Sequence, residues 1–222
     1  DETIKKAKQI IDDLKENQFG YHFPIVSGSN ISKVWALRKA GLGVLSNIPG
    51  DAKPVGFIED TAVWVEDLPQ YIKEFKELLA KHSLDCVFHA HVATGELHLR
   101  PLLDIKTEKG VELYYTIALE TAKLVKKFNG SLSGEHGDGR LRGEFIPLML
   151  GDHIYQLLKE LKNEWDPNHI FNPNKIVDTP KMTSSLRYIP GEKTREVETI
   201  FDYSKTLGFV RAIENCNGSG DC

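Results

Sequence analysis

The stretch Cys86–Leu102, CVFHAHVATGELHLRPL, decides how this chain folds and what chemistry it can carry. Thr94-Gly95 is its tight-turn pair, so the flanking residues read as two strands folded back on each other. In that register His91 faces His98, His89 faces Arg100 and Ala93 faces Glu96. Side chains alternate along a strand, so these residues share one face of the ribbon, while Phe88, Ala90, Val92, Leu97 and Leu99 share the other. One face is core, and the other concentrates three imidazoles, a guanidinium and a carboxylate. As direct cross-strand neighbours, His91 and His98 would have Cβ atoms roughly 5 Å apart, close enough to share one metal ion. Thr is a poor occupant of a type I′ position, and a bulge at Gly95 would shift the pairing.

Upstream of the hairpin, Ile4, Ala7, Ile11 and Leu14 recur at helical spacing within residues 3–16. Tyr21–Ser27 reads as a strand ending at Gly28, and Ser29 or Asn30 can cap a helix that ends near Gly41 and Gly43. Residues 44–54 are expected as a loop and Phe57–Val65 as a strand. Leu68, Tyr71, Ile72, Phe75, Leu78 and Leu79 then mark one face of a helix. Downstream, Glu112–Phe128 is an amphipathic helix stopped by Asn129-Gly130, and Ser131–Ser133 a short strand. Asp152 caps a further helix carrying Ile154, Leu157, Leu158, Leu161 and Trp165. Strands separated by helices, with at least one hairpin, indicate an α+β fold: a mixed or antiparallel sheet with helices packed on one side. The folded part is expected over 1–178. From 179 to 222 apolar density falls, which reads as an extended linker with one helical or strand-like piece near Glu196–Tyr203.

The composition excludes several classes. Of 222 residues 41% are hydrophobic and 27% charged, ordinary for a globular protein, and the net charge of −4 leaves no nucleic-acid footprint. The longest apolar run, Phe145–Leu150, contains a proline and is too short to span a bilayer. The chain starts in a charged helical pattern without signal-peptide architecture, and three cysteines form no secreted disulfide framework. The cytoplasm is the expected compartment. Cys86, opening an apolar strand, is expected to be a buried core thiol.

A second constellation is Gly134-Glu135-His136-Gly137-Asp138-Gly139-Arg140. Its spacing is not that of a dinucleotide fingerprint. In a regular strand Glu135 and His136 would point to opposite sides; both reach one cleft only if the backbone turns, which the flanking glycines permit. Two His and one Glu are a standard open metal site, suited to zinc and, as an alternative, to iron.

HVATGELHLRP, SGEHGDGRLRGE and DPNHIFNPNKI, in this order and at these separations, resemble the C-terminal domain of FAD-linked 2-hydroxy-acid dehydrogenases, the group that includes D-lactate, glycolate and D-2-hydroxyglutarate dehydrogenases. The likeness covers nearly the whole chain, and it implies the ferredoxin-like fold of that domain. It implies that His91, His98 and Glu135 bind a divalent metal, zinc in the first instance, that His136 is the catalytic base, and that Asn174 approaches the flavin. Arg100, Arg140 and Arg142 are candidates for clamping a substrate carboxylate. Thr94 stands where the family commonly has Asp and Glu96 where it has Asn, so Glu96 would disfavour a diacid substrate or serve as a fourth ligand. The tail resembles members that continue into an iron–sulfur module, which would make Cys216 and Cys222 ligands of a 4Fe-4S cluster in a longer protein, since a cluster needs about four thiolates. The resemblance therefore implies partner domains: an upstream FAD-binding domain, a downstream iron–sulfur module, and a chain inactive alone. Two rivals remain on the residues: a metal-dependent hydrolase using the same two-His-one-Glu set, and a non-catalytic module binding a partner or small anion.

Overall fold

The computed structural model describes residues 2–216 and 220, of Leu42 and Ser46 the backbone alone. The chain divides into two units, Asp1–Val44 and Leu45–Cys222. In the first, α1 (Glu2–Glu16) follows its apolar spacing, with Glu2 at its start paired to Lys6 at 3.0 Å and Lys15 in the last turn. Both charges suit the helix dipole. Gln18, at φ 57, ends it. The strand expected at Tyr21–Ser27 is absent, because no neighbouring strand pairs with it and its backbone stays irregular. α2 (Asn30–Ser46) runs past both internal glycines, so the loop expected over 44–54 starts only at residue 47 and is shorter than read.

The second unit is built around one strand. β1 (Lys53–Pro54) and β2 (Thr61–Ala62) pair antiparallel with β4 (Glu96–Leu103) near its two ends, and β3 (Cys86–His91) pairs with β4 along most of its length. β4 alternates as the pattern demands: Leu97, Leu99, Pro101 and Leu103 are buried, and His98 and Arg100 on the other face are half-buried. Against the buried face pack α3 (Leu68–Lys81) and α4 (Glu108–Lys127). Tyr71, Phe75, Phe57, Ile117 and Val125 are fully buried there. Each such side chain contributes about 1.5–3 kcal/mol by leaving water. Thr107 starts α4 by accepting from Gly110 N at 3.0 Å. The α+β class, with helices on one side of an antiparallel sheet, is as the sequence indicated.

The hairpin register differs from the expected one. His91 pairs with Glu96, His89 with His98 and Val87 with Arg100. The turn is not a two-residue Thr94-Gly95 turn but a four-residue connection, a single 3₁₀ turn over Val92–Thr94 closed by Gly95 at φ 74. A type I′ turn would have forced β-branched Thr94 to positive φ; here only glycine bears that conformation. A Cβ on Gly95 would also lie 1.9 Å from Val63 O. Every pairing moves by two positions, so the two faces keep their residues.

The expected strand Phe57–Val65 survives only as β2, because the chain turns at Asp60, φ 95, to bury Phe57 and Ile58. The expected strand Ser131–Ser133 is reduced to one bridge, Ala62 to Ser131. α5 (Ile146–Leu150) precedes α6 (Asp152–Trp165), whose N-cap residue is Gly151 and not the expected Asp152. In the tail, Glu196–Tyr203 itself forms no helix or strand; a 3₁₀ turn follows directly at Ser204–Thr206, and then α7 (Phe209–Glu214). Lys106 Nζ reaches Asp51 Oδ1 at 2.8 Å, Glu214 Oε2 at 2.6 Å and Thr194 Oγ1 at 3.2 Å. Arg211 grips both oxygens of Asp51 at 2.8 and 2.7 Å, and Met182 is buried in the core. Among the described residues, no helix is long and apolar enough to cross a membrane.

Candidate metal centre

The polar face of the hairpin carries His89, His91, Glu96 and His98. The His91 and His98 rings stand nearly perpendicular with centroids 5.0 Å apart, and His89 lies 5.6 Å from His98. The bridge from Ala62 to Ser131 brings the segment after α4 alongside β2 and so to the edge of this face. There the chain curls, with Gly137 at φ 83 and Gly139 at φ 55, a conformation that glycine adopts without strain.

The curl is held by Asp60, which has no solvent exposure. Its carboxylate accepts from Glu135 N at 2.8 Å, His136 N at 3.0 Å and Ser133 Oγ at 2.5 Å. Glu135 and His136 consequently reach the same cleft. Glu135 Oε1 lies 3.8 Å from His91 Nε2, 3.9 Å from His98 Nε2 and 3.3 Å from His136 Nε2. The ring of His136 stacks on that of His98 at 5.6 Å. One ligand atom from each of His91, His98 and Glu135 lies within 4.8 Å of the other two. Residues 44 positions apart in the chain thus converge on one point, beside a fourth imidazole.

The electrostatics suit a cation. Burial pushes the His98 pKa down, aided by repulsion from His91, His136 and His89, which favours the neutral ring a metal ligand must be. Burial pushes Glu96 up, with the acidic neighbours Asp60 and Glu135 adding to it. Burial would raise Asp60 as well, but the donors from Ser133, Glu135 and His136 and the Glu96 carboxyl outweigh it and bring its pKa to about 2. Glu96 Oε1 is buried without a hydrogen-bond partner, 3.9 Å from His98 Nε2. Three carboxyl groups therefore crowd a site whose buried cation, Arg142, sits against Asp60 at 3.3 Å. A bound divalent ion would offset that excess, and two imidazoles with a carboxylate are donors suited to zinc or iron.

The three candidate arginines have different fates. Arg100 forms an ion pair with Glu59. Arg142 is buried, donating to Glu59 O at 2.5 Å and Gly137 O at 2.7 Å. Arg140 is exposed and donates one bond, 2.9 Å, to Ser185 Oγ. Asn174 is exposed at φ 59 in the turn after α6, which Ile176 N ties to Gly139 O of the curl at 2.8 Å. An apolar groove lined by Leu158, Leu161, Trp165, Phe171, Ile176 and Val177 adjoins that turn. Cys216 is exposed, and Cys222 lies outside the described residues. Cys86, expected to be buried, is only partly buried and packs against the edge of the core, where burial pushes its thiol up to about 12.

Asp60, which organises the curl, belongs to none of the sequence motifs. Its signal in the sequence is the acidic pair Glu59-Asp60 inside an otherwise strand-like run, Phe57–Val65.

The family of FAD linked oxidases, C-terminal domain, matches residues 1–176. A D-2-hydroxyglutarate dehydrogenase of Pseudomonas putida is 36% identical over 193 residues, covering 86% of this chain and 19% of that protein. One of Haemophilus influenzae is 37% identical over 198 residues, 87% of this chain and 19% of its own length. The glycolate oxidase subunit GlcD of Bacillus subtilis is 25% identical over 175 residues, 79% of this chain and 37% of its own. The chain spans about a fifth of the length of those two dehydrogenases. With two histidines and a glutamate gathered on an antiparallel α+β scaffold, the chain belongs to the FAD linked oxidases, as a C-terminal domain of that family.

Proposed function

We propose that the chain is the substrate- and metal-binding part of a FAD-dependent, cytoplasmic 2-hydroxy-acid dehydrogenase, in which C2 of the substrate loses hydride to flavin and the hydroxyl loses a proton, leaving a 2-oxo acid. The observation that carries this reading is the convergence of His91, His98 and Glu135 within 4.8 Å, with His136 alongside. Similarity to D-2-hydroxyglutarate dehydrogenases supports the substrate class.

His91 Nε2, His98 Nε2 and a Glu135 oxygen would hold the ion. When bound, it supplies Lewis-acid polarisation of the substrate hydroxyl, worth several kcal/mol. His136 takes the hydroxyl proton at Nε2, the nitrogen 3.3 Å from Glu135 Oε1. A positioned base of this kind contributes about 10²–10⁴-fold. Stacking on His98 fixes the ring plane of His136, so the proton acceptor is oriented before substrate arrives. Of the arginines, Arg140 has donors to spare for a substrate carboxylate, whereas Arg100 and Arg142 are engaged by Glu59, Asp60 and backbone oxygens and support the site's walls. The exposed amide of Asn174, beside the apolar groove, would meet one edge of the flavin, whose pyrophosphate is held by the rest of the protein. Cys216 would contribute one thiolate to an iron–sulfur cluster completed elsewhere.

In the flavin-loaded, full-length protein, His136→Asn should slow flavin reduction by a 2-hydroxy acid about 10²–10⁴-fold at unchanged metal content. Reduction at the wild-type rate would remove His136 from the reaction.

A further inference from the structure

We infer that Asp60 is the positioning residue of this centre: it locks the curl bearing Glu135 and His136 to the strand bearing His98, so that two segments remote in sequence present their side chains to one point. The inference rests on the reading of His91, His98 and Glu135 as metal ligands.

Asp60 is bonded in two directions. Toward the sheet, its own N–H donates to Leu97 O at 3.0 Å, between Glu96 and His98 on the central strand. Toward the curl, its backbone oxygen accepts from Gly134 N at 2.7 Å and its carboxylate from Glu135 N at 2.8 Å and His136 N at 3.0 Å. In an extended strand, amides of neighbouring residues point to opposite sides; three successive ones end on this one residue. Convergence of the amides forces the backbone to curl, and the Glu135 and His136 side chains leave the curl together on the cleft side. Ser133 Oγ extends the clamp, donating to Asp60 Oδ2 at 2.5 Å and accepting from Gly137 N at 2.6 Å. Arg142, 3.3 Å from Oδ2, provides the counter-charge and also ties Gly137 O at 2.7 Å.

The conformation of Asp60 adds a second observation. At φ 95 it occupies a region that non-glycine residues rarely adopt, while carrying no solvent exposure. Such an outlier persists only where the surroundings over-determine it, and outliers gather at functional sites. In this conformation the carboxylate meets the amides of the curl, and the Glu96 carboxyl of β4 as well. A glycine would accept the backbone and keep the Gly134 bond but lose the two amides held by the carboxylate; an ordinary strand residue would likewise leave Glu135 and His136 unclamped.

Cobalt(II), added to the purified full chain after removal of other metals, reports ligand geometry through its visible bands and affinity through titration. The wild type is expected to bind one ion with bands that His98→Ala abolishes. Asp60→Asn keeps the size of the side chain and its tolerance of positive φ but replaces an acceptor oxygen by a donor. It is expected to bind cobalt about 10–100-fold more weakly, with shifted bands. Ser133→Ala removes only the hydroxyl bracing the clamp and is expected to weaken binding about two- to tenfold, in line with one net hydrogen bond. A folded Asp60→Asn protein with wild-type affinity and bands overturns the inference. Should Asp60→Asn not fold, Ser133→Ala decides alone, unchanged affinity and bands being the overturning result. Failure of the wild type to take up cobalt overturns the metal reading and this inference with it, an outcome distinct from wild-type uptake matched by the variants.

Discussion

His91 and His98 are diagonal neighbours across the hairpin: His91 pairs with Glu96 and His98 with His89, yet the rings of His91 and His98 lie 5.0 Å apart. Diagonal residues on one face of an antiparallel pair are within reach of long and aromatic side chains. The residue directly opposite His98 is therefore not the one grouped with it and Glu135 as a candidate ligand. His89→Ala should leave zinc affinity within about threefold of wild type, whereas His91→Ala, which removes a ligand, should lower it by at least about a hundredfold. Isothermal titration of the metal-free chain separates the two, and equal losses would mean that the hairpin uses a different pair.

Gly95→Ala should destabilise the chain by at least about 2 kcal/mol, because it combines strain at a positive φ with a clash. Its added Cβ would lie 1.9 Å from Val63 O, a backbone atom that cannot step aside without breaking the Val63 N to Gly95 O bond of 3.1 Å. Urea unfolding measures the loss; a change below about 0.5 kcal/mol, the range of an unremarkable surface substitution, would contradict the turn as described.

The link between α7 and the loop before β1 should be pH-dependent. Hydrogen bonds from Arg211 hold the Asp51 carboxyl well below the usual carboxylate range; burial opposes this and Lys106 reinforces it. A carboxyl depressed in the folded state stabilises the fold above its ordinary pKa of 3.8, and that contribution is lost as pH falls through the depressed value. Amides of Phe209–Glu214 should therefore stay protected at neutral pH and lose protection well below pH 3.8. At neutral pH Asp51→Asn should speed their hydrogen exchange, corrected for intrinsic rates, about 5- to 30-fold, the equivalent of roughly 1–2 kcal/mol for a partly exposed bidentate pair. Protection unchanged by the substitution would show that the pair contributes nothing.

Leu99→Ala should cost about 2–5 kcal/mol, since Leu99 is fully buried at the centre of the core face and its loss leaves a cavity between β4 and the helices. Thermal or urea unfolding reads it directly, and a cost under about 1 kcal/mol would place the core elsewhere.

What was legible in the sequence followed strict periodicity. The alternation in Glu96–Leu103 and the spacing Leu68, Tyr71, Ile72, Phe75, Leu78, Leu79 are statements about which side is dry, and burial obeys them except at Ile72, half-buried, and Glu96, buried on the polar face. The face shared by His89, His91 and His98 was legible for the same reason, since a shift of two positions preserves it. The register was not, because it depends on whether Gly95 closes a two-residue or a four-residue turn, and both place glycine at positive φ. Short segments failed too. Phe57–Val65 has strand composition, but the demand to bury Phe57 and Ile58 and to turn Asp60 toward a segment some 75 residues away is a tertiary one. The α6 pattern shows a helix with an apolar face, yet Leu157, Leu161 and Trp165 remain exposed, which no periodicity could have indicated.

The ligand set is tested most directly by zinc stoichiometry of the metal-free, reconstituted chain, measured by elemental analysis together with X-ray absorption at the zinc edge. The expected result is one zinc per chain, with two imidazoles and oxygen donors around it, falling below about a tenth of an equivalent in His98→Ala and Glu135→Gln. Zinc bound equally well by those variants, or no zinc bound by the wild type, would contradict a centre formed by His91, His98 and Glu135.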